Sequence, residues 1–134
     1  MIRTLAGVLL VVAVMASAAV IDLTAQGQGT LVSAQGIVGA SVNEASFGVS
    51  GRRGAAVFQT ANTAGTATVE LQQTCLTTAA GASTGWVTMA NTSTTLGASA
   101  SSILTVSSPG CNYRANITAC SGCSVTVTAT SIGK

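Results

Sequence analysis

The chain has 134 residues, of which 48% are apolar and only 6% charged, and its mean hydropathy is +0.60. Disordered chains combine low hydrophobicity with high net charge, so this composition excludes disorder and predicts one compact domain. The net charge of +2, with Arg52, Arg53, Arg114 and Lys134 scattered along the chain, excludes a basic face long enough to follow a phosphate backbone, and with it nucleic acid as a partner.

From the amino end, residues 1–18 have the three parts of a secretory signal. Arg3 and the free amine form a short positive region, residues 5–14 an apolar run, and Ala16-Ser17-Ala18 small residues suited to a signal peptidase. An uncleaved anchor is the alternative, because the low-polarity stretch extends over residues 5–21, the short end of what spans a bilayer, and would give membrane contact through those residues. Residues 19–54 are rich in Gly, Ala, Ser and Gln without a sustained period. They predict an extended arm with one or two short strands, able to add a strand to a neighbour's sheet edge. Gly51-Arg52-Arg53-Gly54 reads as an exposed loop at its end.

Residues 55–134 predict the β-sandwich domain. Over residues 66–75, Ala67, Val69 and Leu71 alternate with Thr68, Glu70 and Gln72, the period of a half-buried strand, and Cys75 shares the apolar parity. Shorter candidates follow at 86–90 and 102–107, and the clearest runs are 113–119 and 123–129. Tyr113, Ala115, Ile117 and Ala119 share one face; Cys123, Val125, Val127 and Ala129 share another. The two runs are expected to form a hairpin, in which a loop of Cys120, Ser121 and Gly122, with Gly122 left-handed in a bulged turn, sets Ile117 opposite Val125 and Ala115 opposite Val127. The fold class is therefore all-β: a single small antiparallel β-sandwich, immunoglobulin-like or jelly-roll, with an apolar amino-terminal segment and an extended arm.

Four cysteines without any histidine point to disulfides rather than a metal site, and so to an oxidising compartment. Two of the three pairings join Cys111 to Cys120 or Cys123, which an extended strand holds roughly 30 Å apart at about 3.3 Å per residue. That leaves Cys75 with Cys111 and Cys120 with Cys123.

General acid–base catalysis needs a titratable group of suitable pKa, and the chain offers one Asp, two Glu and no His, none of them paired in sequence. No enzyme activity, cofactor or metal is expected. Trp86 is a candidate anchor for a sugar or partner, although a lone Trp in a small sandwich more often packs in the core, and the core is the expected place for it. Arg114, outward on its strand beside Asn112 and Asn116, is a candidate partner contact against the blander reading of a solvated face. Asn91-Thr92-Ser93 and Asn116-Ile117-Thr118 fit the glycosylation acceptor pattern.

The carboxyl-terminal half carries Thr66-Ala67-Thr68-Val69-Glu70-Leu71-Gln72, then Gly85-Trp86-Val87-Thr88, then Tyr113-Arg114-Ala115-Asn116-Ile117-Thr118, then Val125-Thr126-Val127-Thr128-Ala129-Thr130. Over residues 60–130 this pattern resembles small β-sandwich proteins of tailed-phage virions, which decorate heads or tail appendages. The resemblance implies a non-enzymatic structural protein on a virion surface or appendage, with copies of itself or other structural subunits as partners. The signal-like amino end and the four cysteines fit an alternative, a secreted cell-surface filament or adhesin subunit assembled by strand addition. A carbohydrate-binding module that meets surface glycans through Trp86 is the weaker alternative. In each case the place of work is extracellular or a virion surface, reached by export if the signal is used.

Overall fold

The computed structural model describes residues 20–47, 54–107 and 109–132. The signal-like segment, Arg52, Arg53 and Lys134 lie outside the described residues. The strands are β1 (Val20–Asp22), β2 (Gln28–Gln35), β3 (Gly39–Ala40), β4 (Glu44–Ser46), β5 (Ala55–Asn62), β6 (Thr66–Thr74), β7 (Leu76–Thr77), β8 (Ser83–Thr84), β9 (Val87–Thr88), β10 (Thr94–Leu96), β11 (Ala100–Ser107), β12 (Asn112–Ser121) and β13 (Val125–Ile132). A single helical turn, α1 (Leu23–Gln26), interrupts them. The first sheet runs β1-β4-β12-β6-β10, with β3 also on β12 and β9 also on β6; the second runs β11-β5-β13-β2, and β7 and β8 make a separate ribbon. Among the described strands only β1 and β4 pair in parallel.

The fold is a β-sandwich because each long strand alternates. In the first sheet Ala67, Val69 and Leu71 of β6 and Tyr113, Ala115 and Ile117 of β12 face inward; in the second, Ala56 and Phe58 of β5 and Val125, Val127 and Ala129 of β13 meet them. Many inward positions are Ala, which removes little surface from water at about 0.8 kcal/mol per buried CH₂. The larger side chains therefore carry the core. Phe47, Phe58 and Tyr113, far apart in sequence, meet edge-on or tilted with ring centroids 5.4–6.2 Å apart.

Residues 20–47 are not an arm. β2 pairs with β13 and β4 with β12, while Leu23, Leu31, Val32, Ala45 and Phe47 are buried in the common core. Their pattern lacks a sustained period because β2 is bulged twice against β13, which sets the neighbours Leu31 and Val32 both inward. Within the stretch 5–21 assigned to membrane contact, Val20 and Ile21 belong to β1, and Ile21 packs on the core over Gly29, where a Cβ would strike its side chain.

The expected hairpin is also corrected. β12 pairs with β6, β4 and β3, and β13 with β5 and β2, so the chain crosses from one sheet to the other between Ser121 and Val125. Gly122 has the positive φ expected of it, 59°. Ile117 and Val125 face each other's sheet across the core rather than along one ladder. Alternation reports which face is buried and not which strand is the neighbour. Ala119, expected inward, is exposed because a register shift between Ile117 and Ala119 ends the alternation.

Four crossings gather at this end of the sandwich: β2 to β3, β5 to β6, β10 to β11 and β12 to β13. Asn62, 1% exposed, ties three of them. Its amide nitrogen donates to the carbonyls of Gly65, Leu96 and Gly97 at 3.1–3.2 Å, and its oxygen accepts from the Ser124 N–H at 3.0 Å. Gly65, at φ 52°, passes so close to the 121–122 backbone that a Cβ would overlap the Ser121 carbonyl and lie 2.6 Å from the Gly122 carbonyl carbon.

Disulfides join Cys75 to Cys111 and Cys120 to Cys123, the two pairs left by the reach of an extended strand. The second pair staples the crossing from β12 to β13. The first lies at the opposite end, where Asn112 pairs with Thr74, and Cys75 there is exposed rather than inward because the alternation of β6 breaks at Gln73. Two such bonds fit an oxidising environment.

Candidate functional site

The outer face of the first sheet brings Glu44, Glu70 and Arg114 together with the amides of Gln72, Asn112 and Asn116. Asn112 pairs with Thr74, Arg114 with Gln72 and Asn116 with Glu70 across β12 and β6, and Thr88 of β9 pairs with Gln72 on the other side. All of these share outward parity, opposite to the buried Tyr113, Ala115, Val69 and Leu71. Glu44 is on β4, which flanks β12.

Glu70 is the hub. Its Oε1 accepts from Asn116 Nδ2 at 2.8 Å, Thr88 Oγ1 at 2.9 Å and Gln72 Nε2 at 3.2 Å. These donors, Asn116 foremost, hold the carboxylate below its usual pKa, against a smaller opposing effect of burial. Gln72 turns its own oxygen to Arg114, whose Nε donates at 2.8 Å. A second cluster adjoins the first: Ser83 Oγ donates to Glu44 Oε2 at 2.5 Å, and Asn112 Nδ2 reaches Ser83 Oγ at 2.7 Å and Glu44 Oε2 at 3.3 Å.

Trp86 is not in the core. It precedes β9, is half-buried on the same outer face, and lies against Arg114, whose guanidinium carbon is 4.4 Å from the ring centroid. The two candidate contact residues, 28 positions apart in the chain, are thus one unit. Burial lowers the Arg114 pKa, the Glu44 carboxylate partly opposing this, and an arginine so placed keeps its charge at neutral pH. On the opposite parity, exposed Val87 and Leu76 border an open cleft of about 270 Å³ with Gln73, Thr74, Cys75 and Gly85.

Periodicity marked Glu70, Gln72, Asn112, Arg114 and Asn116 as outward. That β12 lies beside β6 depends on chain topology, so the cluster itself had no sequence signal. The two glycosylation patterns also separate: the Asn116 amide is committed to Glu70 within a central strand, whereas Asn91 is exposed at a turn with φ 60°. Among the described residues no group of three His, Cys, Asp or Glu converges to hold a metal.

Because Glu70 is held below its ordinary pKa in the folded chain, its contribution to stability is complete above the unfolded carboxyl's pKa, about 4.3, and disappears as pH falls through the lower folded value. Glu70→Gln is expected to flatten the acid limb of the stability curve, with the difference from the parent present at neutral pH and shrinking toward pH 3. Urea unfolding across that range checks it.

A second feature is the edge of the other sheet. β11 is a terminal strand paired only with β5, and its eight residues keep continuous register from Ala100 opposite Asn62 to Ser107 opposite Ala55. It carries no charge and no proline, and Ile103 is 66% exposed. The other terminal strand of that sheet, β2, is bulged twice, and the outer strands of the first sheet, β1, β9 and β10, have two or three residues each. Short or bulged edges resist pairing; long regular ones invite it. Among the described residues β11 is the long, regular and uncharged edge.

Fold and surface together define, for the described residues, a small disulfide-bonded β-sandwich with a polar outer face on one sheet and a long regular edge, β11, on the other. No known protein family, curated protein or solved structure matches the chain.

Proposed function

We propose that this chain is a non-enzymatic structural subunit of a virion surface or appendage, and that it associates with copies of itself through β11. The observation that carries the reading is the contrast between β11 and every other sheet edge described, each of which is short or bulged. Every second residue of β11 turns its N–H and C=O away from β5, and an antiparallel partner satisfies them. A second copy supplies that partner by the same strand, giving a closed two-fold contact. The low charge of the chain supports it, since little electrostatic repulsion opposes contact between copies. The phage-like strand pattern of residues 60–130 supports the virion setting.

A secreted filament or adhesin subunit is the second reading, favoured by the two disulfides, which form and persist in oxidising compartments. Electron micrographs of the native material separate virion from filament.

For association itself, the parent chain is expected to sediment as a dimer or larger species, and Ile103→Lys as a monomer of unchanged fold, because a lysine on a strand edge blocks pairing. A parent that stays monomeric at its highest soluble concentration, or a variant that associates equally well, removes β11 from the proposal.

A further inference from the structure

We propose that the Trp86–Arg114 face of the first sheet is a binding site for neutral carbohydrate. Glu44, Arg114, Gln72 and Thr88 stand on four adjacent strands, β4, β12, β6 and β9, a platform roughly 15 Å wide at about 4.8 Å per strand spacing. The chain's one tryptophan borders it. An indole takes the apolar C–H face of a sugar ring, and the planar polar groups beside it take the hydroxyls.

These groups are held in place before any ligand arrives. Three donors fix Glu70 through Oε1, Gln72 fixes Arg114 through Nε, and Ser83 and Asn112 fix Glu44 through Oε2. The hydrogen bonds within the cluster run to Oε1 of Glu70, Oε2 of Glu44 and Nε of Arg114, so a sugar hydroxyl would be met by the second oxygen of each carboxylate and by the forked terminal nitrogens of Arg114, beside one aromatic ring. Fixed side chains lose little freedom on binding.

Two further features of the face select the ligand class. β6 and β12 are paired on both sides and the outer strand of the platform, β9, has only two residues, too short an edge for an extended peptide, so recognition has to run through side chains. The cluster sets two carboxylates against one guanidinium. That balance disfavours sulfated, sialylated or uronate sugars and phosphate, and suits hydroxyls, each both donor and acceptor.

The test titrates the full chain with neutral cello-, chito- and malto-oligosaccharides and with oligogalacturonate as the acidic counterpart. Indole fluorescence reports on Trp86 alone, and calorimetry gives affinities for the variants. A saturable response to at least one neutral oligosaccharide is expected, weakened about tenfold or more by Trp86→Ala and less by Trp86→Phe. Trp86→Phe keeps an aromatic ring and so keeps the test open if the alanine variant misfolds. Absence of binding to every neutral probe, unchanged affinity in Trp86→Ala, or tighter binding of oligogalacturonate overturns the site. Repeating the titration on Ile103→Lys, whose substitution lies on the other sheet, keeps failure of the glycan site distinct from failure of self-association.

Discussion

Asn62→Leu is expected to lower the unfolding free energy by about 3 kcal/mol, the sum of several buried or half-buried groups that each lose a hydrogen bond at roughly 1 kcal/mol. The side chain is nearly isosteric, so packing changes little, while the carbonyls of Gly65, Leu96 and Gly97 and the N–H of Ser124 lose the bond to Asn62, the Gly97 carbonyl keeping that from the Ala100 N–H. Asn62→Asp divides the effect. It keeps an acceptor for Ser124 but directs a carboxylate at three carbonyl oxygens, and it is expected to be at least as damaging as the leucine. Chemical denaturation of both variants checks this; an Asp variant near parent stability would mean that the single bond to Ser124 carries the tie. Water has no easy replacement role, since the side chain is 1% exposed.

Removing the Cys75–Cys111 bond by the double change Cys75→Ser and Cys111→Ser is expected to cost about 4 kcal/mol, the chain-entropy value for the loop it closes. The Cys120–Cys123 bond closes a loop of only a few residues, and the corresponding double change there is expected to cost about 2 kcal/mol. Sequence separations of 36 and 3 set this order. Serine pairs rather than single substitutions avoid a free thiol. Because the Cys75–Cys111 bond and Asn62 tie opposite ends of the β6–β12 pair, their losses are expected to add. Against a typical domain stability of 5–15 kcal/mol, the combination is expected to remove about 7 kcal/mol, nearly half of the upper figure and more than the lower one. Thermal unfolding of the parent, of Asn62→Leu, of the Cys75→Ser, Cys111→Ser chain and of their combination decides whether the two ends act independently.

Why the disulfides followed from sequence while the hairpin did not is physically informative. The pairing needed only that residues 112–120 run extended, and β12 does so with Cys111 just before its start and Cys120 near its end. The hairpin needed β12 and β13 to be neighbours. Setting Ile117 opposite Val125 satisfies the apolar pattern equally well along a ladder or across a core, and closing the sandwich buries both residues on two layers instead of one. Residues 20–47 escaped notice for a related reason: bulges in β2 and positive φ at Ala34 erase the regular alternation that marks a strand. Trp86 was expected in the core because so large an apolar surface usually is buried. Phe47, Phe58 and Tyr113 already pack together in the core, and the Arg114 guanidinium packs on one face of the indole outside it.

What the sequence by itself determined is the all-β class, the inward faces of β6, β12 and β13, the left-handed turn residue Gly122 and both disulfide pairs. Each depends on local period, local backbone freedom or contour length, all readable within one segment. Only the tertiary structure decided which strands are neighbours, that Asn62 ties three crossings, that Trp86 meets Arg114, and that β11 is the long regular edge among the described strands. Those are contacts between segments tens of residues apart, and nothing within a segment states which distant partner will bury its face.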